Sequence, residues 1–191
     1  MNADGALYQR SSELISRNSS RLLIVDLQEK LFPSIAHAGR VLDNCVKLAT
    51  AGAAMGVPCH ATEQYPKGLG PTMARLARLL PQPLQKLRFS CCEVLAWGPA
   101  ADQPDGRHQV VVAGIEAHVC ILQTVLDLLA LGFQVFVPAD AVSSRAEFDW
   151  RMALERMTNC GATITTTESV LFEWCEVAGT PEFKELIQLI K

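Results

Sequence analysis

Cys120 stands in GIEAHVCILQ, residues 114–123, directly after the apolar run QVVVA at 109–113. The stretch opens a pattern with Leu122, Val125, Leu126 and Leu129 on one helical face. Unpaired N–H groups and the macrodipole at a helix start favour an anion, which would lower a thiol from its free value of about 8.5. The same amides could hold an oxyanion during acyl transfer. A cysteine on the core side of that helix is equally a small hydrophobe, and position alone leaves both readings open. A thiol nucleophile usually takes its base from histidine. His118 is two residues from Cys120, and side chains at that spacing share no helix face. His108 precedes a strand and lies at its wrong end, His37 falls in a polar loop, and His60 lies inside a strand. No persuasive Cys–His pair emerges. Asp26, which ends the run RLLIV at 21–25, reads either as a helix N-cap or as a site residue. Partial burial there would raise its pKa and make it a usable proton acceptor. Lys86, in QKLRFS, is an isolated charge whose pattern alone favours a solvated surface lysine.

Something must bring such residues together, and the periodicity indicates what. Short β-branched runs at 21–25, 57–62, 109–113, 133–137 and 162–165 read as strands, with 84–89 a weaker one. Helical spacing predicts helices over 41–55, 72–80, 118–131, 147–159, 168–175 and 182–190, with Gly132 placed as a left-handed cap. Phe148, Trp150 and Met152 share one helix and read as core or as interface. Alternating strands and helices with continuous apolar strands predict an α/β fold, a three-layer doubly wound, mainly parallel sheet with helices on both faces. Ligands in such folds bind outside the carboxyl ends of the strands. Asp26, the loop from Glu63 and residues 114–120 each follow a strand, so they are candidates for one site.

The 191 residues suit one domain at 21–191, after a polar segment at 1–20. That segment has no charged start followed by an apolar stretch, so no secretory signal is expected. A net charge of −3 with no basic stripe argues against nucleic acid and anionic membrane surfaces. No apolar run approaches the roughly 18 residues of a membrane span. Seven cysteines without a C-x-x-C pair fit reduced thiols and a cytoplasmic location. The first strand is followed by DLQEKLFP and not by a G-x-G-x-x-G turn, which excludes a dinucleotide-binding Rossmann protein.

Four stretches, LLIVDLQ at 22–28, QKLRFS at 85–90, GIEAHVC at 114–120 and ADAVSSR at 139–145, occur in one order and spacing. Together they resemble the isochorismatase-like cysteine hydrolases, from about residue 21 to about residue 173. EQYPKGLGPT at 63–72 is similar to the subgroup known as isochorismatase domain-containing proteins. The resemblance implies a doubly wound α/β fold and a catalytic triad at Asp26, Lys86 and Cys120. It further implies a cis peptide between Ile115 and Glu116, with the backbone N–H groups of Glu116 and Cys120 forming an oxyanion hole. Gln28, Glu63, Gln64 and Tyr65 become candidates for the substrate pocket, and a homo-oligomer is expected. One departure is Ala117, where many members carry Thr, so a hydroxyl near the site is lost. Nicotinamidases of this family bind a metal through an Asp and two His near the second strand. CHATEQYPKG at 59–68 has one His and no Asp, so neither a metal nor another cofactor is expected.

The implied chemistry is cysteine-dependent hydrolysis of a small amide-like molecule through a thioester. The name-giving vinyl-ether cleavage needs no cysteine and is not carried over. The rival is a catalytically idle or redox-sensing interaction protein that uses an activated, oxidisable Cys120.

Overall fold

The computed structural model describes residues 8–190. In chain order its elements are β1 (Ser20–Val25), α1 (Ala38–Ala54), β2 (Cys59–Gln64), α2 (Pro66–Leu69), α3 (Ala74–Ala77), β3 (Leu84–Lys86), α4 (Cys92–Leu95) and β4 (Gln109–Ile115). A π-helical turn (Ala117–Ile121) then leads into α5 (Leu122–Ala130), β5 (Gln134–Pro138), β6 (Val142–Ser143), α6 (Glu147–Asn159), β7 (Thr163–Thr165), α7 (Thr167–Cys175) and α8 (Pro181–Ile190). The strands form one sheet in the order β3-β2-β1-β4-β5-β7, with β6 pairing the end of β4. Every pairing is parallel.

Burial on both faces follows from the period-two alternation of the central strands. Leu22, Ile24, Val111 and Ala113 pack with residues of α1, α7 and α8, among them Leu48, Trp174 and Leu186. Leu23, Val25, Val110 and Val112 turn the other way, onto Ile121, Val125, Leu128, Ala153 and Met157 of the π turn, α5 and α6. Each such fully buried aliphatic side chain contributes about 1.5–3 kcal/mol. The fold is therefore a doubly wound α/β sandwich.

Several boundaries differ from those the sequence predicts. β2 begins at Cys59 because Pro58 has no N–H for the ladder. It runs on through Glu63 and Gln64, which read as loop residues but are buried and pair with β3. The helix expected from His118 starts as a π turn, in which Ile121 N–H reaches Glu116 O at 3.2 Å, and the α-helix begins only at Leu122. Residues 1–7 of the polar segment at 1–20 lie outside the described residues. The rest of it is not separate from the domain: Ile15 is buried in the core and its N–H donates to Glu173 at 2.6 Å.

Candidate active site

The chain builds β1, β2 and β3 outward in one direction, then crosses back to β4 and builds β5 and β7 in the other. The reversal lies between β1 and β4, where a doubly wound sheet opens a crevice at its carboxyl edge. Asp26 leaves β1 at that point and Cys120 follows β4, while Lys86 ends β3 two strands away. β1 ends sharply because Asp26 takes a left-handed conformation, φ 50°, which Asp tolerates better than most residues. At the end of β2, Tyr65 does the same with φ 37°. Across the crevice, Gly114 pairs with Val25 at φ 119°, and a Cβ there would sit 2.1 Å from Val25 O. Only glycine lets β4 approach β1 this closely before the turn to Cys120. The Ile115–Glu116 peptide bond is cis.

These elements gather a buried cluster. Lys86 Nζ donates to Asp26 Oδ2 at 2.7 Å, to Gln64 Oε1 at 2.8 Å and to Phe89 O at 2.9 Å. An ammonium has three protons, so these acceptors use all of them. Both side chains of the Lys86–Asp26 pair are wholly shielded from solvent. Lys86 is thus not the solvated lysine its local pattern favours. Burial alone would depress its pKa, but the charge of Asp26, nearby Cys91 and Cys120, and the hydrogen bond to Asp26 together hold it above the ordinary value. The other carboxylate oxygen, Asp26 Oδ1, accepts from Thr62 Oγ1 at 2.8 Å. Asp26 caps no helix.

Cys120 is buried at 6% exposure. Its position predicts a lowered pKa, and the structure reverses that sign. Desolvation pushes the thiol up most, the adjoining Asp26 carboxylate raises it again, and Lys86 opposes both. The resting cluster is therefore a neutral thiol beside an ion pair. Its carbonyl accepts from Thr124 Oγ1 at 2.6 Å, and the same hydroxyl accepts from Cys91 N at 2.9 Å.

The remaining candidates divide. Gln64 belongs to the cluster: besides accepting from Lys86, its amide donates to Leu87 O at 2.7 Å. Gln28 does not present its amide to a ligand, because Nε2 donates to Gln64 O and Gly70 O while Oε1 accepts from Gln64 N. Glu63 likewise turns away, with Oε1 accepting from both N–H and O–H of Thr72. These two pin the segment between β2 and α3. Tyr65 is half exposed and, with Pro66, Lys67, Gln85, Lys86 and Leu87, lines a cavity of about 270 Å³. Glu116 accepts from Arg145 Nε at 3.0 Å and from its N–H at 3.2 Å, tying the loop after β6 to the cis peptide. His118 is turned to Ser144 Oγ at 2.9 Å. Two members of the cluster carry no sequence signal of their own, Thr62 and Cys91. Among the described residues no group of three or more His, Cys, Asp or Glu could hold a metal ion, and no helix is long and apolar enough to cross a membrane.

Comparison with known proteins places this geometry in context. The sequence model of the isochorismatase domain matches residues 20–169. Isochorismatase domain-containing protein 2A of Mus musculus is 41% identical over 176 residues, which span 91% of this chain and 83% of that protein. A solved structure of MAR1 ribonuclease from Caenorhabditis elegans is 37% identical with a TM-score of 0.84, over 93% of this chain and 92% of that one. A cysteine hydrolase from Pseudomonas syringae pv. phaseolicola 1448A shares the fold at 18% identity, with a TM-score of 0.66 over 86% of this chain and 98% of its own.

Proposed function

The chain belongs to the isochorismatase domain family, an isochorismatase-like cysteine-hydrolase fold, and on that premise we propose that it hydrolyses the C–N bond of a small amide through a thioester on Cys120. The observation that carries this reading is the fully buried Asp26–Lys86 pair beside a buried thiol at the switch point of the sheet.

In this mechanism Cys120 Sγ attacks the carbonyl carbon as its proton passes to Asp26. A thiol held this high forms little thiolate at rest, so proton transfer accompanies attack. The backbone N–H groups of Glu116 and Cys120 receive the oxyanion. The C–N bond then breaks and Asp26 returns the proton to the departing amine. Water attacks the thioester with Asp26 again taking a proton, the C–S bond breaks, the acid leaves and the thiol is restored. Lys86 stays charged throughout, holds Asp26 in place through its hydrogen bond and never needs to move. Its protons and both Asp26 oxygens are already engaged, so neither side chain is left to bind a charged group. This favours an uncharged amide.

The name of the nematode relative suggests RNA as a rival substrate. A net charge of −3 supplies no electrostatic footprint for a polyanion. Leu84, Leu87 and Phe89 are exposed at the sheet-edge strand β3 and beside it, which supports association of copies of this chain along that edge. Seven free cysteines suit a reducing, cytoplasmic compartment.

A screen of small amides and imides, run beside Cys120→Ala, tests the reading. Turnover should fall by at least about a thousandfold in the variant, and intact mass should reveal an acyl adduct only on wild type. Undiminished amide hydrolysis by Cys120→Ala removes the thioester mechanism, and RNA cleavage that survives the substitution supports the rival.

A further inference from the structure

Thr62 is 1% exposed and lies in β2, one strand from Asp26. Its hydroxyl oxygen is 2.8 Å from Asp26 Oδ1 and 3.4 Å from Cys91 Sγ. A hydroxyl has a single proton, and a carboxylate can only accept. The proton of Thr62 therefore goes to Asp26, and the thiol of Cys91 donates to Thr62. The result is a directed chain, Cys91 S–H to Thr62 O–H to Asp26, in which all three residues are buried.

The groups that face Asp26 from each neighbouring element are few. Lys86 comes from β3, Thr62 from β2, Cys91 from the start of α4 and Cys120 from the π turn. Glu63 is engaged by Thr72, and Glu116 by Arg145. Lys86 supplies the full charge that keeps Asp26 ionised. Thr62 and the Cys120 thiol are the uncharged donors among these groups, and Thr62 is the one that takes no part in the reaction.

We propose that Thr62 is a positioning residue that sets where the shared proton of the Asp26–Cys120 pair rests: its hydroxyl stabilises the carboxylate and holds Oδ1 in place, so that the proton stays on the thiol until attack. The inference rests on Cys120 and Asp26 being the reacting pair. A hydrogen bond to a buried charge is among the stronger ones, and its loss leaves the acceptor unsatisfied. Removing it disfavours every state in which Asp26 is anionic. With one proton shared by the pair, the state with a neutral Asp26 carboxyl and a Cys120 thiolate then gains about ten- to a hundredfold on the state with a carboxylate and a thiol, while loss of the last proton, which leaves Asp26 anionic on both sides, does not move.

The test is the rate at which iodoacetamide alkylates Cys120, followed by peptide mass spectrometry between pH 7 and 10 in the full chain. This readout needs no turnover, so it is separate from the fate of the amidase reading. Thr62→Val keeps the side-chain shape without the donor, and Thr62→Ser keeps the donor. Thr62→Val should alkylate about ten- to a hundredfold faster than wild type near pH 7, and Thr62→Ser should follow wild type. With a substrate in hand, the acid limb of kcat/KM should move up in Thr62→Val and return in Thr62→Ser. Equal or slower alkylation in a folded Thr62→Val protein overturns the proposal, as do equal acceleration by both variants or a wild-type Cys120 that resists alkylation throughout the range. If Thr62→Val does not fold, Thr62→Ala takes its place under the same criteria.

Discussion

At the carboxyl ends of the strands, Asp26 and Lys86 pair at 2.7 Å with neither side chain reaching solvent. At the amino ends, Arg21 pairs with Asp105 at 2.6 Å, but Asp105 is 43% exposed. The two ends also differ in what surrounds the charge. Arg21 lies 4.9 Å over the ring of Trp97, which meets His60 edge-on at 4.9 Å. Nearby Arg107 ties down Arg17 O and Ser20 O, each at 2.7 Å. Guanidinium groups here fasten loops to the start of the sheet, and water can take up any charge left over. The Asp26–Lys86 pair has no such outlet. Its charge is fixed, hydrogen-bonded and shielded from solvent, which is costly for stability and suited to holding a proton in one place. The amino end is a fastening and the carboxyl end is a site.

The backbone repeats the contrast, and the largest expected effect tests it there. Gly114 at the site end has φ 119°, and an added Cβ would lie 2.1 Å from Val25 O. Gly132, at the amino end before β5, has φ 84°, and the nearest atom to its added Cβ is Ala100 Cβ at 3.8 Å. Gly114→Ala should destabilise by more than about 4 kcal/mol or yield no folded protein. Gly132→Ala should cost only the left-handed penalty of about 1–2 kcal/mol. Urea titrations of the two decide the matter, and comparable losses would mean that β4 does not depend on close approach to β1.

This asymmetry bears on what the sequence discloses. The central strands are legible because their apolar runs are continuous, and Gly132 is legible because it follows a helical pattern. β6 is not, since two residues carry no period. Glu63 and Gln64 look like loop because burial of polar side chains depends on partners such as Thr72 and Lys86 that no local pattern reveals. Lys86 is the sharpest case. Its neighbours read as surface, and only the strand order, which sets β3 two places from β1, makes a buried ammonium sensible. The family pattern names Lys86, Asp26 and Cys120 together, whereas Thr62 follows from neither pattern nor spacing. The sign of the Cys120 shift was also out of reach: a helix start argues for a low pKa, and desolvation beside a carboxylate outweighs it.

Breaking one ion pair at each end sharpens the comparison. Lys86→Met leaves Asp26 charged, buried and without its main partner, which should cost about 3–5 kcal/mol near neutral pH. Arg21→Met leaves Asp105 in water and loses the stacking on Trp97, and should cost about 1–2 kcal/mol. The Lys86→Met deficit should also depend on pH. A buried carboxylate without its counter-ion is costly only while it is charged, so the penalty should shrink on acidification. Denaturation midpoints at several pH values measure both effects. A Lys86→Met loss no larger than that of Arg21→Met would dissolve the distinction between the two ends.

The smallest effect has the opposite slope. His60 at the amino end is held below its ordinary pKa, mainly by burial and then by Arg21, with Asp105 opposing. The unfolded chain therefore takes up a proton near pH 6.5 while the folded protein still excludes it. Stability is fully present above that pH and declines as pH falls through the window down to the folded value. Asp105, held low chiefly by its hydrogen bond from Arg21, titrates well below this window and does not confuse it. Replacing His60 with Phe keeps an aromatic edge against Trp97 and removes the titration. The difference in Tm between pH 7.5 and pH 5.5 should narrow in His60→Phe relative to wild type. Arg21→Met should narrow it as well, since one of the causes of the depression is gone. An unchanged difference in both variants would show that the amino end carries no proton linkage. Acid then weakens the fastening end through His60, while in Lys86→Met it relieves the site end through Asp26, so one pH series on two variants separates the two ends by sign alone.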